Sequence, residues 1–195
     1  MATGDEDFIT IISGLPRSGT SMMMRMLEKG GVPILTDAVR AADDDNPLGY
    51  YEFEPVKRLD KDASWLSAAV GKAVKIIYIF LYHLPRDHKY KVIFMRRGLD
   101  EVVASQKAML RRRGEGDRMS DQQLIASFSS QLEMLDLWIR RQDNFTILYL
   151  DHNDVVNAPE AAVGEIRRFL GLPLDTRSMV QAVEPLLHRN RAATV

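Results

Sequence analysis

The most restrictive feature of this sequence is a short apolar run near its start, which leads through a glycine-containing turn into a methionine-rich run. Residues 9–12 are all β-branched and predict a buried strand. Residues 20–29 predict a helix that ends at Gly30 and Gly31. A strand that turns directly into a helix points backbone N–H groups and the positive end of the helix dipole at one place. Residues 9–21 are therefore expected to hold a phosphate group.

The cradle loop, residues 14–21, matches most of the nucleotide-binding pattern G-x-x-x-x-G-K-[ST]. Gly14, Gly19 and Ser21 fit the pattern, but Thr20 stands where the pattern has lysine. In NTPases that lysine reaches the β- and γ-phosphates. Arg17 supplies a cation from within the turn instead. The loop thus predicts a bound phosphate and argues against transfer of a γ-phosphoryl group.

The composition limits the class of protein further. The chain has 195 residues, no cysteine and a formal net charge of −1. This length suits one domain over residues 1–195, and the near-neutral charge argues against a nucleic-acid partner. The absence of cysteine excludes disulfides and thiolate metal ligands. The acidic run at 43–45 lacks the spacing of a calcium loop, so no metal is expected.

Neither a signal peptide nor a membrane span is expected from the sequence. The N-terminus is acidic rather than basic and then apolar, which argues against a signal peptide. No apolar run is long enough to cross a membrane. The expected location is the cytoplasm.

The rest of the chain alternates between predicted strands and helices. Strands are predicted at 32–35, 73–78, 90–95 and 144–150. Helices are predicted at 56–70, 79–84, 99–113, 121–142, 159–170 and 175–187, with a loop at 151–158. Buried strands separated by helices imply a parallel sheet covered on both faces. The predicted fold is a single-domain, three-layer αβα structure with a mainly parallel central sheet, similar to P-loop NTPases.

Three further charged positions are candidates for a site. Arg97 follows the strand predicted at 90–95, and ligands bind at the carboxyl edge of open parallel sheets. Lys75 lies inside an apolar strand, so its ammonium group either reaches solvent or points at a bound anion. Glu52 lies among aromatic residues, either as a carboxylate with a shifted pKa or in a loop that these residues pack down. Both pairs of alternatives stay open.

Three segments resemble the sulfotransferases that use PAPS (3′-phosphoadenosine 5′-phosphosulfate). The run Pro16-Arg17-Ser18-Gly19-Thr20-Ser21 resembles their 5′-phosphosulfate loop, in the Arg form of the tyrosylprotein branch and many bacterial members. Residues 97–105 resemble their 3′-phosphate motif, an arginine followed by a serine eight positions later. Residues 151–172 are similar to the family's C-terminal region.

The resemblance implies a P-loop-like fold and PAPS as co-substrate, without a metal. The sulfuryl group would pass to a hydroxyl or amine of a small-molecule or peptide acceptor. Residues 16–21 would hold the 5′ side, and Arg97 and Ser105 the 3′-phosphate. Arg17 and Lys75 would stabilise charge in the transition state. His152 lies where the family has a tyrosine that contacts the adenine.

The resemblance leaves the general base open. Cytosolic members have a histidine where this chain has Ile77. Glu52 is the nearest analogue of the glutamate that the tyrosylprotein branch uses, and His83 is the alternative. The basic C-terminal clamp of the cytosolic members is missing, and Arg189 and Arg191 are candidates to replace it.

Two other functions compete with a sulfotransferase. A P-loop nucleotide kinase or NTPase would share the fold, although Thr20 and the lack of an evident strand-end aspartate for Mg²⁺ argue against it. A catalytically silent nucleotide binder would keep the fold and lack a base.

Overall fold

The computed structural model describes residues 7–37, 49–112, 114 and 119–183. Five parallel strands form one sheet in the order β2-β3-β1-β4-β5. The strands are β1 Ile9–Gly14, β2 Ile34–Leu35, β3 Ala73–Lys75, β4 Tyr90–Arg96 and β5 Phe145–Asp151. The acidic run at 43–45 lies outside the described residues, as do Arg189 and Arg191.

Helices cover both faces of this sheet. The α-helices are α1 Thr20–Lys29, α2 Leu99–Arg112, α3 Asp121–Ile139, α4 His152–Asn157, α5 Pro159–Leu170 and α6 Thr176–Gln181. Three 3-10 helices, Glu54–Arg58, Ser64–Ala69 and Tyr78–His83, complete the described elements. One core cluster packs side chains of α1, α4, α5 and α6 on the sheet, and a second packs α2, α3 and the 3-10 helices on its other face. The predicted fold class is confirmed.

The central strand β1 explains why the first apolar run is continuous. Ile9 and Ile11 face one core cluster, and Ile12 faces the other. A strand that is buried on both faces does not alternate between polar and apolar residues. Parallel pairing aligns Ile12 with Lys75, so the cradle loop and the end of β3 meet at the carboxyl edge of the sheet.

Several predicted boundaries are confirmed. The helix predicted at 20–29 is α1. Ser120 and Gln123 form the expected capping box at the start of α3. Pro159 begins α5, and Gly171 ends it in the left-handed conformation with φ 73°. The strand predicted at 73–78 is shorter, because the chain leaves the sheet after Lys75.

Two element predictions are wrong. The single helix at 56–70 is instead two 3-10 helices, and Asp62 Oδ1 between them accepts a hydrogen bond from the Ser64 backbone N–H at 3.0 Å. Such a local bond competes with helix formation. The predicted loop at 151–158 contains α4, because Asp151 Oδ1 accepts from the Asn153 N–H at 2.8 Å and caps the helix.

The described residues contain neither a membrane-spanning helix nor a cluster of metal ligands. Within residues 7–37, 49–112, 114 and 119–183, no helix is long and apolar enough to cross a membrane. The same stretches hold no group of three or more histidine, aspartate or glutamate side chains placed to bind a metal ion.

Candidate active site

The cradle loop is closed tightly between β1 and α1. Gly14 has φ 146°, and a Cβ there would lie 2.5 Å from both Met95 O and Ser18 Oγ. Ser18 is buried, and its hydroxyl donates to Leu15 O at 2.7 Å. Arg17 adopts a positive φ of 71°, which is uncommon for a residue with a side chain. The loop therefore has one compact shape that a side chain at position 14 would disrupt.

His152 packs directly against this loop. A Cβ on Gly19, whose φ is 96°, would lie 2.5 Å from His152 Cδ2. His152 is buried, and its Nδ1 lies 3.4 Å from Asn153 Oδ1. Position 19 thus needs glycine both for its backbone conformation and for the space that the imidazole occupies. His152, a predicted site residue, therefore lies against the cradle loop.

The two motifs that resemble phosphate sites are in contact. Arg17 Nε donates to Ser105 Oγ at 3.0 Å, and Arg97 Nη1 donates to the Arg17 carbonyl oxygen at 3.1 Å. Ser105 is buried on α2, and Arg97 follows the end of β4. The second motif therefore holds both the side chain and the backbone of Arg17.

An acidic residue that the motif reading did not single out supports Arg97. Glu101 Oε2 accepts from Arg97 Nε at 2.6 Å, and its Oε1 accepts from Asn153 Nδ2 at 3.3 Å. Burial acts to raise the pKa of Glu101, but the Arg97 and Asn153 hydrogen bonds and the charges of Arg97 and His152 lower it overall. The sequence signal for this contact is the spacing, because Glu101 follows Arg97 by four residues at the start of a predicted helix.

Lys75 lies buried beside the start of α1. Its Nζ donates to the Tyr50 carbonyl oxygen and lies 3.5 Å from Ser21 Oγ. Ser21 Oγ also donates to Tyr50 O at 3.3 Å. The ammonium group thus lies buried beside the cradle loop and does not reach solvent.

Glu52 follows Tyr50 by two residues, in a loop that is held in place by several hydrogen bonds. Its carbonyl oxygen accepts from Thr36 Oγ1 at 2.8 Å and from the Asp37 N–H at 3.3 Å. Tyr51 has φ 52°, and its hydroxyl donates to Glu28 Oε2 at 2.8 Å. Glu52 is half-buried. The backbone next to Glu52 is therefore tied to β2 and α1.

The alternative base lies on another element. His83 is the last residue of the 3-10 helix Tyr78–His83, which follows β3, and it is exposed. The contacts that hold the Glu52 loop join it to Ser21 and Lys75 of the site.

Together these features define a P-loop-like α/β protein with a cluster of cationic and hydroxyl side chains at the carboxyl edge of its sheet. Comparison with protein-family models matches residues 7–190 to the sulfotransferase domain family. The chain therefore belongs to the sulfotransferase family. A search of curated proteins gives no significant match.

Solved sulfotransferase structures share this fold. Sulfotransferase STF1 from Mycobacterium tuberculosis H37Rv aligns with a TM-score of 0.57 at 18% identity, over 91% of this chain and 70% of that one. The sulfotransferase domain of the Synechococcus PCC 7002 olefin synthase aligns with 0.54 at 18%, over 93% and 83%. The sulfotransferase domain from the curacin biosynthetic pathway aligns with 0.54 at 14%, over 91% and 78%. At these identities the likeness concerns the fold alone.

Proposed function

We propose that this chain is a PAPS-dependent sulfotransferase that passes the sulfuryl group to a hydroxyl or amine and releases 3′,5′-adenosine bisphosphate. The contact between Arg17 and Ser105, in a member of the sulfotransferase family, carries the proposal. We take the acceptor to be a small molecule or a peptide and residues 1–195 to act as one domain. We assign the loop to the Arg type of the tyrosylprotein branch and many bacterial members. The cytoplasmic location stays a prediction.

The cradle loop fits a phosphosulfate because its backbone can approach an anion closely. Gly14 and Gly19 let the turn close tightly against Met95, Ser18 and His152, and the start of α1 directs its N–H groups at the ligand. Thr20 and Ser21 add hydroxyl donors. In this proposal, residues 16–21 hold the 5′ side of the donor, and His152, packed on Gly19, contacts the adenine.

The second motif fits the other phosphate. Arg97 and Ser105 belong to adjacent elements and are linked through Arg17. An arginine presents donors in a planar fork that matches phosphate oxygens. We assign the 3′-phosphate of the donor to Arg97 and Ser105.

The proposed transfer is an in-line displacement at sulfur, similar to phosphoryl transfer. The acceptor hydroxyl loses its proton to the Glu52 carboxylate, and its oxygen bonds to sulfur. The bond between sulfur and the 5′-phosphate oxygen breaks, and negative charge appears on that oxygen. Arg17 and Lys75 stabilise this charge, a contribution that is typically worth about 10²–10³ in rate for one preorganised donor.

Binding and turnover together test the proposal. Thermal unfolding is measured with 3′,5′-adenosine bisphosphate and, separately, with ATP and Mg²⁺. Bisphosphate at a hundred times its dissociation constant should stabilise the fold by about 2.7 kcal/mol. Stabilisation by ATP alone would point to the kinase or NTPase and contradict the proposal.

A transfer assay separates an enzyme from a silent nucleotide binder. Radiolabelled PAPS is offered with a panel of phenols, alcohols, amines and tyrosine peptides, and label in the acceptor is counted. Transfer to any of these excludes the silent binder. Bisphosphate binding without transfer to any acceptor class would favour the silent binder and contradict the enzyme assignment.

A further inference from the structure

The Glu101 side chain connects three elements around the cradle loop. Glu101 stands in the first turn of α2, with its side chain 14% exposed. One carboxylate oxygen holds Arg97, which follows β4, and the other holds Asn153 of α4. Both oxygens are therefore engaged, and each partner comes from a segment that borders the site.

A carboxylate so close to the cradle loop disfavours the binding of an anion. Its negative charge repels a phosphate over the few ångströms in question. The helix dipole of α2 does not require it, because Asp100 on the same turn is exposed and already supplies a negative charge. The position of Glu101 therefore calls for a different explanation.

The geometry of Arg97 supplies that explanation. A guanidinium group is planar, so a bond at Nε fixes the direction of the whole fork. With Nε on Glu101 at 2.6 Å, Nη1 reaches the Arg17 carbonyl oxygen at 3.1 Å. Asn153 in turn holds the other oxygen of the Glu101 carboxylate. Arg97 is thus oriented at both its Nε and its Nη1 ends.

We propose that Glu101, itself held by Asn153, is a positioning residue that orients Arg97 toward the 3′-phosphate of the donor. This inference rests on the proposed function, because it takes the donor to be a 3′-phosphorylated nucleotide. Glu101 does not contact the ligand. The bond to Glu101 already restricts Arg97 before the nucleotide binds, so less conformational entropy is lost on binding. This gain offsets the repulsion between the Glu101 carboxylate and the phosphate.

Calorimetric titration of two nucleotides tests the proposal. 3′,5′-Adenosine bisphosphate and adenosine 5′-phosphate differ only in the group that Arg97 is proposed to bind. Glu101→Gln keeps the shape of the side chain and removes its charge. We expect bisphosphate affinity to fall about tenfold, as for loss of a hydrogen bond to a charged group, while affinity for adenosine 5′-phosphate stays unchanged. Asp100→Asn, which removes a charge from the same turn, is the matched control and should leave both affinities unchanged.

A double-mutant cycle separates positioning of Arg97 from a general effect on the fold. In an Arg97→Ala background, Glu101→Gln should cause no further loss of bisphosphate affinity. An additive loss would overturn the proposal, as would an equal loss for both nucleotides or tighter bisphosphate binding by Glu101→Gln. Should Glu101→Gln fail to fold by circular dichroism, Glu101→Asp, which withdraws the carboxylate from Arg97, takes its place with the same expected pattern. Wild-type protein that does not bind bisphosphate would contradict the proposed function itself.

Discussion

Arg17 Nε donates a hydrogen bond to Ser105 Oγ at 3.0 Å, across 88 positions of sequence. The resemblance assigns the arginine to the sulfuryl end of the donor and the serine to its 3′-phosphate. Because one hydrogen bond joins these two residues, the two segments that resemble phosphate motifs are directly connected. Arg97 adds a second connection through the Arg17 carbonyl oxygen.

Removing the Ser105 hydroxyl tests this connection. Ser105→Ala removes the acceptor for Arg17 Nε and one proposed donor to the 3′-phosphate. A hydrogen bond of this kind is worth about 1 kcal/mol, so we expect bisphosphate affinity to fall by roughly fivefold. Calorimetric titration gives the affinity, and Ser130→Ala, at an exposed position of α3, is the control. Equal affinities for the Ser105 variant and the wild type would remove Ser105 from the site.

Gly19 gives a prediction about stability. In Gly19→Ala the new methyl group would lie 2.5 Å from His152 Cδ2, and alanine would have to adopt φ 96°. We expect a loss of about 1–3 kcal/mol in the free energy of unfolding, from backbone strain and displacement of the imidazole.

The control for this substitution is another glycine. Gly164 lies inside α5, and its nearest neighbour to a new Cβ would be Arg168 Nη1 at 3.7 Å, an ordinary contact. Gly164→Ala should therefore raise the free energy of unfolding by about 0.5–1 kcal/mol. Urea unfolding measures both variants. A Gly19 variant as stable as the wild type would contradict the packing of His152 against the loop.

The two segments that resemble phosphate motifs could be recognised in the sequence because each is contiguous. The first combines a buried strand, a turn with Gly19 and a helix start within residues 9–29. The second combines the end of β4 with the eight-residue spacing from Arg97 to Ser105. Local patterns of this kind report local structure directly, and the order of such units was enough to predict the parallel sheet.

Contacts between distant segments could not be predicted. The bond from Lys75 to the Tyr50 carbonyl depends on how the loop before residue 54 is folded. The bond from Asn153 to Glu101 depends on the pairing of β4 with β5 and on the cap that Asp151 provides. Spacing along the chain carries no information about either arrangement, because each is set by tertiary packing.

Tyr51 predicts a dependence of stability on alkaline pH. Burial, followed by the hydrogen bond and the charge of Glu28, raises the pKa of Tyr51 from 10.0 to about 12. The folded state thus favours the protonated phenol. The stability that Tyr51 contributes is complete below pH 10, the pKa expected in the unfolded chain, and is lost as the pH rises toward 12.

Tyr51→Phe isolates this contribution. Urea unfolding at a series of pH values should show a smaller decline for the variant than for the wild type between pH 10 and 12. The substitution also removes the bond from the phenol to Glu28 and loosens the loop that carries Glu52, so turnover at neutral pH should fall. Identical declines for the two proteins would mean that the Tyr51 phenol is neither buried nor bonded to Glu28 in solution.

Glu52 is the position at which the mechanism is tested most directly. Glu52→Gln removes the proposed base but keeps the size of the side chain and the carbonyl that Thr36 and Asp37 hold. We expect kcat to fall about 10²–10⁴-fold, the usual range for a general base, with bisphosphate affinity retained. Glu54→Gln, two residues along the same segment, removes an exposed carboxylate that pairs with Lys57 and should leave kcat unchanged.

His83→Asn distinguishes the alternative base in the same assay. If Glu52 takes the proton, the His83 variant keeps wild-type turnover, since an exposed histidine outside the cradle contacts contributes little. A large loss of turnover in His83→Asn together with normal turnover in Glu52→Gln would move the role of base from Glu52 to His83.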